Sequence, residues 1–126
     1  YRARGRDEDA ESVLVEASKQ AADTAAVEFA LGLTLVRLGR HDEAMVHLRR
    51  AYETRPETVR FGYVYSVALF DSGKRQAALR TLDEIHKRYP ANREILRLLA
   101  GYSQQMGRTK AAETYARELH SLDAQR

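Results

Sequence analysis

Cysteine and tryptophan are absent from the chain, and proline occurs only twice. The lack of thiols excludes disulfide bonds, zinc–thiolate sites and thiol catalysis, and it is compatible with either a reducing or an oxidising compartment. With 44% hydrophobic and 31% charged residues in 126 positions, the composition is that of an ordered chain of about one domain. The composition therefore excludes a disordered chain.

Long apolar runs are also absent. The longest stretch without a charged residue, Phe61 to Phe70, is about half the length that a bilayer crossing requires, so we expect no membrane insertion. No basic and then apolar leader opens the sequence, which starts at Tyr1 rather than at a methionine. We expect the chain to be a piece of a longer protein.

A strong excess of one charge sign is lacking too, since 21 basic and 18 acidic residues leave a formal charge of +3. Nucleic-acid binding requires a continuous basic stripe. Acidic residues interrupt the basic ones here, so we expect no nucleic-acid partner. The basic residues are Arg49, Arg50, Arg55, Arg80, Lys87 and Arg88, and the interrupting acids are Glu43, Glu53, Glu57, Asp83 and Glu84.

The sequence does contain a repeat with a period of 34 residues, which indicates stacked structural units rather than one closed core. The period divides the chain into the back half of a truncated repeat at 1–24 and three full repeats at 25–58, 59–92 and 93–126. Because the truncated copy begins inside a helix pair, we expect the parent protein to supply its first helix. The residues that keep this register are Gly39, Gly73 and Gly107; Ala44, Ala78 and Ala112; and Pro56 and Pro90.

These positions predict an all-α chain built from helix pairs. A glycine after an apolar helix can adopt the left-handed conformation that ends it, so the glycines mark the turn inside each pair. The alanines are small enough for two helices to approach closely, and the prolines cannot continue the second helix. Thr58 and Asn92 are candidate N-caps. The predicted helices are 7–21, 25–38, 42–54, 58–72, 75–88, 92–106 and 109–122.

The repeat resembles the tetratricopeptide repeat over essentially the whole chain. The second copy has Tyr65-Ser66 and the third has Leu99-Ala100 where the family has Leu-Gly. Pentatricopeptide repeats, which bind RNA, are the main alternative, but their period is one residue longer. The family pattern of Leu-Gly, aromatic, Gly, Ala, aromatic, Ala and Pro is met in the first full copy, with leucine at the aromatic places, by Leu31-Gly32, Leu35, Gly39, Ala44, Leu48, Ala51 and Pro56.

The resemblance implies a right-handed superhelical solenoid of antiparallel helix pairs, in which the first helix of each pair lines a concave groove. On the predicted helix at 25–38 we expect Val27, Leu31, Leu35 and Leu38 to face the core. In the first two full repeats the opposite side of the first helix is more apolar than an exposed surface should be, and in the third it is more polar. One interpretation is that other repeats or the tight inner curve cover this side. The other is a groove for a partner peptide or helix, with aromatic anchors beside arginines and with Arg60 and Arg97 holding an acidic group. The candidate groove residues are Phe29, Leu33, Val36, Arg37, Arg60, Tyr63, Val67, Phe70, Arg97 and Gln104.

Some members of the family bind the C-termini of chaperones through a clamp of Lys, Asn and Arg. Here the corresponding positions hold Phe29, Leu33, Val64, Glu94 and Leu98. The clamp is absent, and we expect an acidic chaperone tail to bind no better than a scrambled peptide.

The last helix has an apolar face on which a further repeat would stack, formed by Ala112, Ala116, Leu119 and Leu122. Solenoids usually need a polar capping helix at such a face. The face therefore predicts either a nearly terminal repeat or pairing with a second copy in a homo-oligomer.

Patterns for catalysis and metal binding are lacking. His86 and His120 lie one repeat apart, about 10 Å at helix-packing distances, which is too far to share one ion. His41 and His47 face different sides of a helix, and no Ser-His-Asp or paired-carboxylate arrangement stands out. We therefore expect a non-catalytic protein–protein interaction scaffold with no metal and no cofactor, whose partner is a protein or peptide.

Residues 59–90 are also faintly similar to C-terminal tetratricopeptide regions of bacterial periplasmic proteins that carry multihaem cytochrome domains. No CxxCH haem-attachment motif is present. This similarity implies a second hypothesis, a structural or self-assembly arm of a larger bacterial protein. It also implies the periplasm as the compartment, with the cytoplasm as the alternative.

Overall fold

The computed structural model describes residues 8–15 and 24–125, and every regular element within these two ranges is a helix. The all-α prediction is confirmed. The truncated repeat at 1–24 and its predicted helix at 7–21 lie partly outside the described residues. We name the helical residues 8–15 α1, and the helices that follow are α2 (Ala25–Arg37), α3 (His41–Thr54), α4 (Val59–Asp71), α5 (Arg75–Arg88), α6 (Arg93–Gln105) and α7 (Thr109–Ala124).

A glycine in the left-handed conformation ends α2, α4 and α6. Gly39, Gly73 and Gly107 have φ angles of 76°, 87° and 73°. In each turn the residue after the glycine donates its backbone N–H to the carbonyl five residues earlier, which satisfies an acceptor left open at the helix end. The predicted glycine turns are confirmed. These three bonds join Arg40 to Leu35 at 2.9 Å, Lys74 to Leu69 at 2.9 Å and Arg108 to Ser103 at 2.8 Å.

Replacing Gly73 with alanine tests this backbone requirement. An added Cβ at Gly73 meets no atom within 4 Å, so the cost comes from the positive φ alone. We expect Gly73→Ala to lower the free energy of unfolding by about 1–2 kcal/mol.

Gly101 is the matched control, because an added Cβ is also free of contacts there but the residue lies inside α6. Gly101→Ala should raise the free energy of unfolding by about 0.5–1 kcal/mol. Urea denaturation followed by circular dichroism measures both, and shifts in the same direction would contradict the interpretation.

The chain packs as two units, Tyr1–Tyr65 and Ser66–Arg126, whose boundary falls within α4. In the first unit α2 packs on α3, and Leu31, Leu35 and Ala44 form a buried cluster. Leu14 of α1 packs against this cluster. The predicted core side of α2 is therefore confirmed at Leu31 and Leu35.

Two outer positions of the predicted core side of α2 are less enclosed. Val27 and Leu38, which we expected to face inward, are only half-buried. Both lie near an end of the helix, where fewer neighbouring side chains surround them. The core of this unit therefore lies around the middle of α2.

Gly32 allows the close approach of α2 and α3. A Cβ added at Gly32 would lie 2.7 Å from Cδ2 and 2.8 Å from Cγ of Leu48, and 3.4 Å from the carbonyl oxygen of Ala44. Leu48 and Ala44 are themselves buried. A larger residue at position 32 would force the Leu48 side chain to move.

This contact predicts a coupling between positions 32 and 48. Gly32→Ala should lower the free energy of unfolding by about 1–3 kcal/mol, because it overpacks the interface. Leu48→Ala should cost about 2–5 kcal/mol, because it leaves a cavity. In the Leu48→Ala background the added methyl group has room, so Gly32→Ala should there be neutral or stabilising. A double-mutant cycle by chemical denaturation measures the coupling, and an equal cost of Gly32→Ala in both backgrounds would show that Leu48 is not the constraint.

An ion pair joins α1 to the start of α3. The guanidinium of Arg40 donates to Glu11 at 2.6 Å and, through two nitrogens, to both carboxylate oxygens of Glu43 at 2.6 Å. These hydrogen bonds lower the pKa of the Glu43 carboxyl and raise that of Arg40. Because Arg40 and Glu43 are largely exposed, the pair contributes little to stability compared with the apolar contacts.

In the second unit α6 packs against both α5 and α7. The alanines predicted to allow close helix contacts are buried here too, at Ala78 and Ala112. They belong to the buried apolar residues of this unit. Its most completely buried apolar members are Ala78, Leu82, Ile85, Ile95, Leu96 and Leu99.

The helix ends follow the predicted signals. The Asn92 side chain accepts the backbone N–H of Ile95 at 3.0 Å, which confirms this N-cap. Thr58 directly precedes α4, which is the position expected of an N-cap. As expected for residues that cannot continue a helix, Pro56 and Pro90 each follow the end of one, α3 and α5.

Candidate functional site

The predicted groove residues fall into three groups by exposure. Phe29 and Phe70 are buried, at 7% and 6% exposure. Leu33, Tyr63 and Val67 are half-buried. The remaining five, Val36, Arg37, Arg60, Arg97 and Gln104, are exposed.

Phe29 packs inside the first unit rather than pointing into a groove. Its ring centroid lies 4.6 Å from that of Phe61 on α4, and the guanidinium carbon of Arg60 lies over the Phe29 ring at 5.3 Å. The structure therefore corrects the expectation of an exposed aromatic anchor at this position. The spacing along α2 places Phe29 away from Leu31 and Leu35, but it does not reveal that α4 reaches the same side.

Phe70 is covered in the same way in the second unit. Its ring stacks on Tyr102 of α6, with centroids 3.6 Å apart and planes at 7°, and Arg75 lies over the ring at 5.0 Å. This too corrects the expectation of an exposed anchor. Sequence reasoning missed Arg75, although an arginine placed shortly after the Gly73 turn could have indicated a contact with the end of α4.

In the first unit, the predicted groove residues that are exposed or half-buried combine apolar and cationic side chains. Leu33, Val36 and Arg37 follow Phe29 along α2, and Arg60 and Tyr63 lie in the first half of α4. Helical spacing places the residues of each helix on one stripe, and the Phe29–Phe61 contact brings the two stripes close together. We call these five residues the α2/α4 face.

Few acidic residues occur in the two helices that form the α2/α4 face. The one acidic residue of α2, Glu28, is buried and bonded to α3, where Nδ1 of His47 lies 2.5 Å from its carboxylate and Arg50 lies 3.8 Å away. The first half of α4, residues 59–65, contains no acidic residue. Arg60 therefore has no acidic residue in its own half of α4.

Two of the four histidines, His47 and His86, take part in contacts between helices. His47 bonds to Glu28 as described, and Nε2 of His86 on α5 lies 3.0 Å from a carboxylate oxygen of Glu118 on α7. The His86 ring also meets Tyr115 edge-on, and the His86 side chain is 12% exposed. Burial, together with nearby Asp83 and Glu118, raises the pKa of Tyr115.

The described residues offer no group of three or more side chains that could hold a metal ion. Nor does this part of the chain contain a helix that is both long and apolar enough to cross a membrane. The accessible groups of the α2/α4 face are apolar side chains and arginines.

A family model of the tetratricopeptide repeat matches residues 35–102, which is more than half of the chain. The chain belongs to the tetratricopeptide repeat family. This confirms the resemblance that the 34-residue register indicated. Tetratricopeptide repeats indicate a protein–protein interaction scaffold.

A relative by sequence is the TPR repeat-containing protein PA4667 of Pseudomonas aeruginosa. It is 29% identical over 110 residues, which cover 87% of this chain and 19% of the relative. The chain therefore spans about a fifth of the length of that relative.

Solved structures of MamA proteins are similar to this tetratricopeptide chain. MamA AMB-1 superposes with a TM-score of 0.75 at 25% identity, over 90% of this chain and 62% of that one. MamA 41-end from Desulfovibrio magneticus RS-1 has a TM-score of 0.76 at 20% identity, over 98% and 70%. A further crystal structure of MamA has a TM-score of 0.78 at 18% identity, over 96% and 71%. The last two show the fold alone, which is an all-α helical solenoid.

Proposed function

We propose that this chain is a non-catalytic interaction module that binds a peptide or a helix of a protein partner along the first helices of its repeats. The repeats are those at 25–58, 59–92 and 93–126. The observation that supports the proposal is the apolar surface left on α2 beside the arginines, where Val36 is 38% exposed and Leu33 is half-buried.

The two sides of α2 explain why this surface is informative. Leu31 and Leu35 are buried on the side of α2 that packs on α3, and Phe29 is buried against α4. Leu33 and Val36 lie away from Leu31 and Leu35 and keep accessible apolar surface. Accessible apolar groups with tyrosine and arginine nearby are the usual composition of residues that dominate a protein interface.

The predicted groove residues of the second unit are more polar than those of the first unit. Val67 of α4 is half-buried, and Arg97 and Gln104 of α6 are exposed. Exposed polar and charged groups add specificity to an interface rather than most of the affinity. We therefore assign the main apolar contacts with a partner to the α2/α4 face.

A matched pair of valines tests the proposal. Val36 on α2 and Val46 on α3 are both 38% exposed, but only Val36 belongs to the α2/α4 face. A displayed library of short random peptides would be enriched on the wild-type chain, and the affinity of an enriched peptide would be measured by fluorescence anisotropy. Val36→Gln should weaken binding by about fivefold to thirtyfold, whereas Val46→Gln should leave it unchanged.

Helical circular dichroism of each variant controls for folding. Failure to enrich any peptide would contradict the proposed function. Equal binding by the two valine variants would place the binding surface elsewhere on the chain.

An assembly role is the second candidate, favoured by the surface of α7. Ala112 is buried, but Leu119 and Leu122 are half-buried and Ala116 is exposed along the same face. This face could pack against a second copy of the chain, as a further repeat would. Such pairing would make the chain an arm through which a larger protein assembles.

Light scattering at several concentrations tests the assembly role. If α7 pairs, the measured mass should rise above 14.3 kDa as concentration increases. Leu119→Gln combined with Leu122→Gln should restore the monomer mass, because it removes the apolar contact. A wild-type mass that stays at the monomer value at every concentration would remove this candidate.

A further inference from the structure

Arg60 differs from Arg40 and Arg93 in the kind of partner that its guanidinium group contacts. Arg40 and Arg93 bond to carboxylates, at 2.6 Å to Glu43 and at 2.8 Å to Asp123. Arg60 instead lies over the ring of Phe29 at 5.3 Å. Among the described residues no carboxylate pairs with it, so its hydrogen-bond donors remain available.

The ring beneath Arg60 also packs against a second aromatic ring. Phe29 is 7% exposed and contacts Phe61, which is itself buried, at 4.6 Å between centroids. Side chains packed this closely cannot change rotamer without opening the contact between α2 and α4. Phe29 and Phe61 therefore form a rigid base for the guanidinium group.

The position of Arg60 in its helix reinforces its positive charge. It lies in the first turn of α4, where the helix dipole is positive and where an acidic residue would be favourable. That turn contains no acidic residue. Glu57, just before the helix, takes part in another interaction.

A guanidinium that lies over an aromatic ring can still use its edge to donate two parallel hydrogen bonds to a carboxylate. The ring restricts the orientation of the group, so less side-chain entropy is lost when the carboxylate binds. The apolar residues Leu33, Val36 and Tyr63 of the same face would contact a neighbouring apolar side chain of the partner.

We propose that Arg60, positioned by Phe29, selects an acidic peptide segment in which an aspartate or glutamate lies beside an apolar residue. This inference rests on the proposed function and adds the chemistry of the partner. It assigns Phe29 a new role as a positioning residue that does not itself contact the partner.

An array of paired peptides tests this selection. Each peptide is made once with glutamate and once with glutamine at the same positions, and the glutamate-to-glutamine ratio of binding is the readout. The wild-type chain should prefer the glutamate peptides by about fivefold to tenfold, and added salt should reduce that preference. Arg60→Gln should reduce the ratio to about one.

Arg49→Gln is the matched control, because it removes the same charge from an exposed arginine of α3 that lies outside the α2/α4 face. It should keep the wild-type ratio. Phe29→Leu retains an apolar side chain but removes the aromatic ring, and it should lower the ratio while cooperative thermal unfolding shows that the chain still folds. Phe29→Tyr, which keeps the ring face, should retain the preference.

The outcomes separate the two proposals. Peptides that bind without any preference for glutamate, or a preference that persists in Arg60→Gln, would overturn this inference and leave the proposed function standing. An unchanged ratio in Phe29→Leu would overturn the positioning role of Phe29. If no peptide of either series binds, the proposed function itself fails.

Discussion

The left-handed glycine at the end of the first helix of each pair is the constraint on which the rest of the structure depends. At Gly39, Gly73 and Gly107 the chain reverses within a few residues, and the second helix begins two residues later. The backbone bond across each turn satisfies a carbonyl that a helix end would otherwise leave open. This reversal brings the apolar sides of α2 and α3, and of α6 and α7, into contact.

How closely the paired helices approach depends on a small residue in the first helix. In the first copy this is Gly32, against which Leu48 packs directly. The second copy has Ser66 in the same register, and its buried hydroxyl has no hydrogen-bond partner among the described residues. A buried hydroxyl without a partner carries a desolvation cost, so the small size of the residue at this position matters more than its chemistry.

Aromatic contacts between successive first helices decide which parts of the predicted surface remain accessible. Phe29 meets Phe61 in the first unit, and Phe70 meets Tyr102 in the second. In each case an arginine lies over the covered ring. The apolar groups of the predicted set that stay accessible on α2 are therefore the smaller neighbours Leu33 and Val36.

The sequence by itself determined the all-α class, the family, the glycine turns and the Asn92 cap, because these depend on contacts within a few residues and on a period that recurs along the chain. It also identified the buried side of α2 at Leu31 and Leu35, since helical periodicity shows which residues share a face. It could not show which side chains of the opposite face a neighbouring helix covers. Phe29 and Val36 look equivalent along α2, and only the tertiary structure buries the first and leaves the second accessible, because the packing partner of Phe29 lies 32 positions away along the chain, on α4.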